Sequence, residues 1–443
     1  MLEKPAFTRR EFVRSGFVVV STVATIPTFL QQSALALADP SDVPLTKSKP
    51  GVPEDRILVV VQLSGGNDGL NTVVPYSASP YYDGRSGIAI RPDNVLKLDR
   101  SLLGRQDMAL GLHPSLANLK QMMEQQIGAI VQGVGYPNPN RSHFASMDIW
   151  HTCQAQGGRG AGWLGKALDQ IAPGQSTSMV AIGDKSPLAG QGKLSQPVSF
   201  QNVELFRWTG ADLHDKLGAH YDTINRAGVL GQPANAAKNG EPIADDNQAA
   251  FVMRTAMDAQ VVSDRIRAAV AKGTVTDFRG GKLANQLRSV SAMIRAELPT
   301  RVYYVGLGGF DTHAGQNGRH QNLLREFATA MQSFYKELKA MGQDQRVLSV
   351  AFSEFGRRVA QNASQGTDHG PAGPMYLFGP MVKPGLLGQH PSLTELDRGD
   401  LIFNVDFRSV FATILEQWLK ADSTKVLGRR FKLAKVLDTK QTA

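Results

Sequence analysis

One cysteine, Cys153, occurs in 443 residues, so no intramolecular disulfide can form. A chain of this kind relies on its core, and 42% hydrophobic residues over this length provide a sizeable one. A lone cysteine also lacks the second thiol of a metal-binding pair, which leaves it as packing or an incidental thiol. Runs of five or six basic residues are absent despite a formal charge of +9, which argues against a nucleic-acid module. Beyond the N-terminal segment no apolar run is long enough to span a membrane. Neither a GxSxG nucleophile elbow nor an HExxH helix occurs. Gly160–Gly165 matches GxGxxG but follows helical rather than strand spacing, which excludes a dinucleotide loop. No internal repeat or low-complexity tract stands out.

The first 38 residues read as an address. Thr8-Arg9-Arg10-Glu11-Phe12-Val13 has the form of a twin-arginine signal, Gly16–Leu30 is its apolar stretch, and Ala36-Leu37-Ala38 is a small-residue cleavage site. Expected from this are export in the folded state by the twin-arginine translocase, a periplasmic or extracellular location, and no stable transmembrane segment after processing. The segment holds four basic and two acidic residues, so about seven of the nine positive charges belong to the remainder. That excess is compatible with an anionic substrate and equally with ordinary solubility.

Residues 39–56 read as an extended leader and 57–443 as one α/β domain. Ile57–Leu63, Ile127–Val131, Arg301–Leu307 and Val347–Phe352 are nearly unbroken apolar runs, the pattern of strands buried on both faces. Helical spacing separates them, for example Leu116, Leu119, Met122 and Met123, or Leu323, Leu324, Phe327, Met331, Phe334 and Leu338. A mixed, mostly parallel central sheet with helices on both faces is expected. Two further amphipathic stretches, Ala249–Lys272 and Gly281–Leu298, predict a helical insertion at about 209–298 that acts as a cap or a packing layer.

In open α/β sheets, ligands sit beyond the carboxyl ends of the strands, and polar residues gather at those positions here. The first run ends in Ser64-Gly65-Gly66-Asn67-Asp68, which places Asp68 at a strand end; an Asn-Asp-Gly turn is the other reading. The second leads through Tyr136-Pro137-Asn138-Pro139-Asn140-Arg141-Ser142-His143, with Asn140 or Ser142 opening a helix. Ser142 is then either a helix cap or a nucleophile helped by the helix's positive end, with Arg141 beside it to clamp anionic oxygens. The third ends Gly308-Gly309-Phe310-Asp311-Thr312-His313, and residues two apart on an extended chain point the same way. The fourth ends Ser353-Glu354-Phe355-Gly356, followed by Thr367-Asp368-His369-Gly370. Carboxylates and imidazoles between tight-turning glycines suit a hard or borderline divalent metal.

LSGGNDGLNT, GYPNPNRSHFASMDIW, GGFDTHAGQ, FSEFGRR and GTDHGPAG, together with the Arg-Arg signal, resemble the bacterial twin-arginine-exported family of unknown function numbered 1501. The resemblance covers essentially all of the chain after the signal. The order of the candidate residues is in turn similar to that of the alkaline phosphatase, sulfatase and phosphoglycerate mutase superfamily. It implies an alkaline-phosphatase-like fold and a metal-dependent hydrolase of phosphate or sulfate esters acting on a small anionic ester. Ser142 would be the nucleophile and Arg141 would orient the ester. Asp68, Asp311, His313, Glu354, Asp368 and His369 would hold one or two divalent ions (Zn, Mg, Ca or Mn). Two alignments compete. One takes Asp368-His369 as the superfamily's Asp-His pair and His390 as its later histidine. The other sets Glu354-Phe355 in that pair's place and makes His369 the later histidine. Phe355 in a ligand's place and the shortened Asp311-x-His313 favour an alternative: a non-catalytic exported binding or assembly protein with a vestigial or structural metal. The role of His143 stays open.

Overall fold

Ile57–Ser64 (β1) is apolar at nearly every position because both of its faces are covered. Ile57, Val59, Val61 and Leu63 enter one core and Leu58 and Val60 enter the other. The computed structural model describes residues 55–438 except 105, 156–159, 174, 176, 205 and 207–261. The twin-arginine segment, almost all of the leader and much of the expected helical insertion therefore lie outside the described residues.

Further strands of the same sheet are β2 (Gly128–Gly135), β3 (Met179–Ile182), β4 (Val198–Phe200), β5 (Val302–Gly308), β6 (Val347–Phe352), β7 (Gly373–Phe378), β8 (Gly385–Leu387) and β9 (Val405–Asp406). They run in the order β8-β2-β7-β6-β1-β5-β3-β4, with β9 pairing to the end of β2. β1 is the parallel partner of both β5 and β6, in a register that sets Val60 beside Tyr304 and Val350. Among these strands only β7 runs against its neighbours. The sheet is thus mixed and mostly parallel, as the apolar runs imply.

Helices cover both faces. Ala117–Glu124 (α1) packs on one face, and His143–Thr152 (α2) and Trp163–Ile171 (α3) pack on the other. Gly281–Arg295 (α4) and the long Gln316–Ala340 (α5) join α1, while Phe407–Thr413 (α6) joins α2 and α3. α5 buries Leu324, Phe327, Met331, Phe334 and Leu338, a three-and-four spacing that puts one stripe on the core. Fully burying each such side chain stabilises the fold by about 1.5–3 kcal/mol. Within the expected insertion, residues 262–271 are helical, and Leu283, Leu287 and Val290 of α4 lie in the core beneath the sheet. After Thr413, α6 runs on as a π-helix over Ile414–Leu419.

Cys153 ends α2 in a left-handed conformation with its thiol buried in the second core, and burial pushes the thiol's pKa upward. Gly162 and Gly165 of the GxGxxG stretch serve packing. A Cβ on Gly162 would stand 2.1 Å from the Leu188 carbonyl oxygen, so that α3 can start only where this position lacks a side chain. Among the described residues, no helix is long and apolar enough to cross a membrane.

Candidate metal centre at the carboxyl edge of the sheet

The parallel strands β1, β2, β5 and β6 all end at one edge, and β7, running the other way, starts there. Five chain segments far apart in sequence therefore converge on this edge, and each carries a polar group.

The loops are fastened to each other by buried hydrogen bonds. Ser353 Oγ donates to the Leu63 carbonyl at 2.6 Å and accepts from the amides of Gly66 and Asn67 at 3.1 and 3.0 Å. Arg357 is buried on a two-residue ladder formed by Gly356–Arg357 and His369–Gly370. Its guanidinium donates to the carbonyls of Gly66 at 2.7 Å, Thr367 at 2.5 Å and Phe310 at 3.0 Å, and to Asp311 Oδ1 at 2.8 Å. Gly65 makes the close approach work: at φ +121°, a Cβ there would sit 2.3 Å from the Asp311 amide nitrogen.

Three imidazoles surround Asp311. His313 Nε2 and His369 Nε2 each lie 3.1 Å from Asp311 Oδ1, and His143 Nε2 lies 3.4 Å from Oδ2. The Nε2 atoms of His313 and His369 are 3.0 Å apart. His143, Asp311 and His369 can offer ligand atoms all within 4.8 Å of one another. On the far side of each ring, Nδ1 meets an acceptor: Glu354 Oε1 at 2.7 Å for His143, Asp368 Oδ1 at 3.1 Å for His313, and the Arg141 carbonyl at 2.8 Å for His369. An acceptor facing Nδ1 favours the ring proton there and turns Nε2 toward Asp311; His369 Nε2, within hydrogen-bonding distance of Asp311 Oδ1, donates to it when it carries a proton.

The electrostatics follow from these contacts. Partial burial works to raise the pKa of Asp311, but hydrogen bonds from Arg357 and His369 outweigh it and hold the carboxyl at about 2. The hydrogen bond to Glu354 raises the pKa of His143 above its ordinary value. Burial lowers that of His369. A hydrogen bond from Asn362 lowers that of Asp368.

Of the residues singled out from sequence, Asp311, His313 and His369 meet directly. Glu354 and Asp368 stand behind the imidazoles as acceptors. Glu354 also accepts the Gly65 amide at 2.8 Å, and its own carbonyl accepts from Ser146 and Trp150. Asp68, expected as a ligand, is occupied elsewhere. Its Oδ1 caps the short helix Gly69–Thr72, and its Oδ2 receives Arg85 and Gln316, both at 2.5 Å, with both ion-pair side chains fully buried. Burial alone would raise the pKa of Asp68, but the Arg85 charge and hydrogen bond prevail and lower it.

Ser142 is the N-cap residue of α2 and is exposed, and its hydroxyl makes no capping bond. The Arg141 guanidinium turns to Asp400 rather than to the cluster. His390 stands apart in a turn, bonded through Nδ1 to the Pro391 carbonyl at 2.8 Å, while Phe355 packs its ring 4.4 Å from His369 and 5.0 Å from His143. The histidine beside the Glu354-Phe355 segment is therefore His369 and not His390. Sequence reasoning missed Arg357 and left His143 without a role. The signal for His143 was its place in the first turn of the helix that follows a strand end.

An α/β sandwich with a histidine–carboxylate cluster at the carboxyl edge of its sheet is the class of protein that fold and site define. Within that class, the chain belongs to the family described as Protein of unknown function (DUF1501), whose model matches residues 55–440. No curated protein sequence matches the chain. Among solved structures, it is similar to a protein in the alkaline phosphatase superfamily from Vibrio parahaemolyticus, with 9% identity, a TM-score of 0.36 and coverage of 91% of this chain and 77% of that one. It is similar as well to the PsFucS1 sulfatase from Pseudoalteromonas sp., with 10% identity, a TM-score of 0.37 and coverage of 93% and 76%. A third is the C-terminal periplasmic domain of EcEptC from Escherichia coli in complex with Zn, with 10% identity, a TM-score of 0.31 and coverage of 73% of both chains. Likeness at this level carries no inference about activity.

Proposed function

We propose that His143, Asp311 and His369 hold one divalent metal ion, with His313 beside them, and that the protein is an exported, metal-dependent hydrolase of phosphate or sulfate esters. The observation that carries the reading is the convergence of three imidazole Nε2 atoms on one carboxylate, each ring with its own acceptor at Nδ1. Ligand atoms about 2.0–2.1 Å from a tetrahedral ion lie roughly 3.3 Å from one another. His369 Nε2 lies 3.1 Å from Asp311 Oδ1, close to that edge length, and His143 Nε2 lies 3.4 Å from the other oxygen of the same carboxylate. Two imidazole nitrogens and a carboxylate oxygen, with a third imidazole alongside, suit zinc or a similar transition ion better than magnesium or calcium, which favour oxygen ligands.

When bound, such an ion would supply Lewis acidity toward an ester oxygen and activate a nucleophile. The chain's own residues would do the rest. Glu354, Asp368 and the Arg141 carbonyl fix the three ring orientations, and Arg357 anchors Asp311. Ser142 is the proposed nucleophile: its hydroxyl is spared from capping, and it stands at the positive end of a ten-residue helix, next in sequence to His143.

The competing reading, a binding protein with a structural metal, draws support from Phe355, whose ring packs on two of the imidazoles where a further ligand could otherwise stand. Metal analysis together with a panel of aryl phosphate and sulfate esters separates the two. Metal with turnover that is lost on Ser142→Ala supports the hydrolase; metal without turnover supports the binder.

A further inference from the structure

Next to the cluster lies an open cleft of about 630 Å³, lined by Asn138, Arg141, Arg358, Asp397, Arg398 and Asp400. Two of its arginines share backbone with the metal centre: the Arg141 carbonyl receives His369 Nδ1, and the Arg358 amide donates to the Asp368 carbonyl at 3.0 Å. Both guanidiniums are held by one carboxylate. Asp400 is only 1% exposed; its Oδ2 receives Arg141, and its Oδ1 receives Arg358 Nε at 2.9 Å. Arg358 also donates to the Arg398 carbonyl at 2.9 Å, which ties the third arginine's loop to the same wall. Arg398 and Asp397 form only a loose, well-exposed pair at 4.0 Å.

Three arginines and two aspartates line the cleft, so its lining carries one more positive than negative charge, with Asp368 behind it also close enough to feel the Arg358 charge. The Arg141 and Arg358 side chains are 47% and 36% exposed, which leaves N–H donors free to face the cleft. A buried acid that splays two half-exposed arginines is a preorganised receptor for a planar or tetrahedral oxyanion.

We propose that this cleft binds a second anionic group of the substrate, so that the enzyme's substrates are polyanions, multiply sulfated or multiply phosphorylated molecules rather than simple mono-esters. The inference rests on the hydrolase reading for the word substrate, but the anion site itself stands on the cleft alone. Binding of inorganic tripolyphosphate and of sucrose octasulfate to metal-chelated protein tests it by calorimetry, with metal content measured separately on untreated protein. Expected are salt-sensitive binding to the wild type, a loss of tenfold or more in Arg358→Gln and Arg398→Gln, and retention in Arg358→Lys. Arg398→Gln guards against a folding artefact, because that side chain is exposed and supports no buried group. A preference for one of the two probes assigns phosphate or sulfate chemistry. Absence of binding, or equal binding by wild type and both Gln variants, overturns the proposal even where metal content is normal. Protein that lacks metal yet loses tripolyphosphate binding in the variants would overturn the metal centre and leave the anion site in place.

Discussion

The Nε2 atoms of His313 and His369 face each other across 3.0 Å, each ring having an acceptor at its Nδ1. With a proton on one of them the contact is an N–H···N hydrogen bond; with both protons held at Nδ1 the two lone pairs would repel, and a cation beside Asp311, the occupant proposed here, would relieve that repulsion.

Removing an imidazole should remove the ion. His143→Ala and His369→Ala are expected to lower bound metal from near one ion per chain to a trace, with any esterase activity falling at least a hundredfold. Elemental analysis after gel filtration checks the first and an aryl-ester assay the second.

Glu354 should act through His143 and not as a ligand. Glu354→Gln keeps an acceptor near Nδ1 but removes the charge, and weakening of metal affinity by about 10–100-fold is expected, as for other carboxylates behind metal-binding histidines. A competition titration with a zinc chelator measures it.

Gly65 should be intolerant of any side chain. Gly65→Ala drives a Cβ to within 2.3 Å of the Asp311 amide at a φ of +121°. The Asp311 loop must shift, so metal affinity is expected to fall together with thermal stability. Calorimetric zinc titration and a thermal melt measure the two.

Asp68 should matter for stability and not for metal. Breaking its buried pair with Arg85 leaves an uncompensated guanidinium, at a cost of roughly 3–5 kcal/mol. Asp68→Asn is therefore expected to lower Tm while bound metal stays the same. The folded-state pKa of Asp68 lies below the ordinary 3.8, so the pair's contribution is present above that value and is lost as pH falls through the folded pKa. The Tm difference between wild type and Asp68→Asn should thus shrink below pH 4.

The sheet was legible in the sequence because its strands are covered on both faces, and an unbroken apolar run as short as Val347–Phe352 fits a doubly buried strand better than a helix or a loop. Asp311 and His313 were legible because a strand end and a two-residue spacing constrain where their side chains go. Asp68 misled: at a strand end, an aspartate that caps a helix and pairs with Arg85 looks like one that holds a metal, and Arg85 lies 17 residues away in a loop-rich excursion without periodicity. Arg357 and Asp400 were invisible for a related reason. Their partners come from several distant loops, and only the folded chain brings them together.

The most direct test is the metal content of protein produced in its native host and purified without chelators, compared with His369→Ala made the same way. About one zinc-like ion per chain in the wild type and almost none in the variant is the expected result. A wild type that carries no metal, and takes up none when titrated with zinc, manganese or magnesium, would contradict the claim that this edge of the sheet is a metal centre.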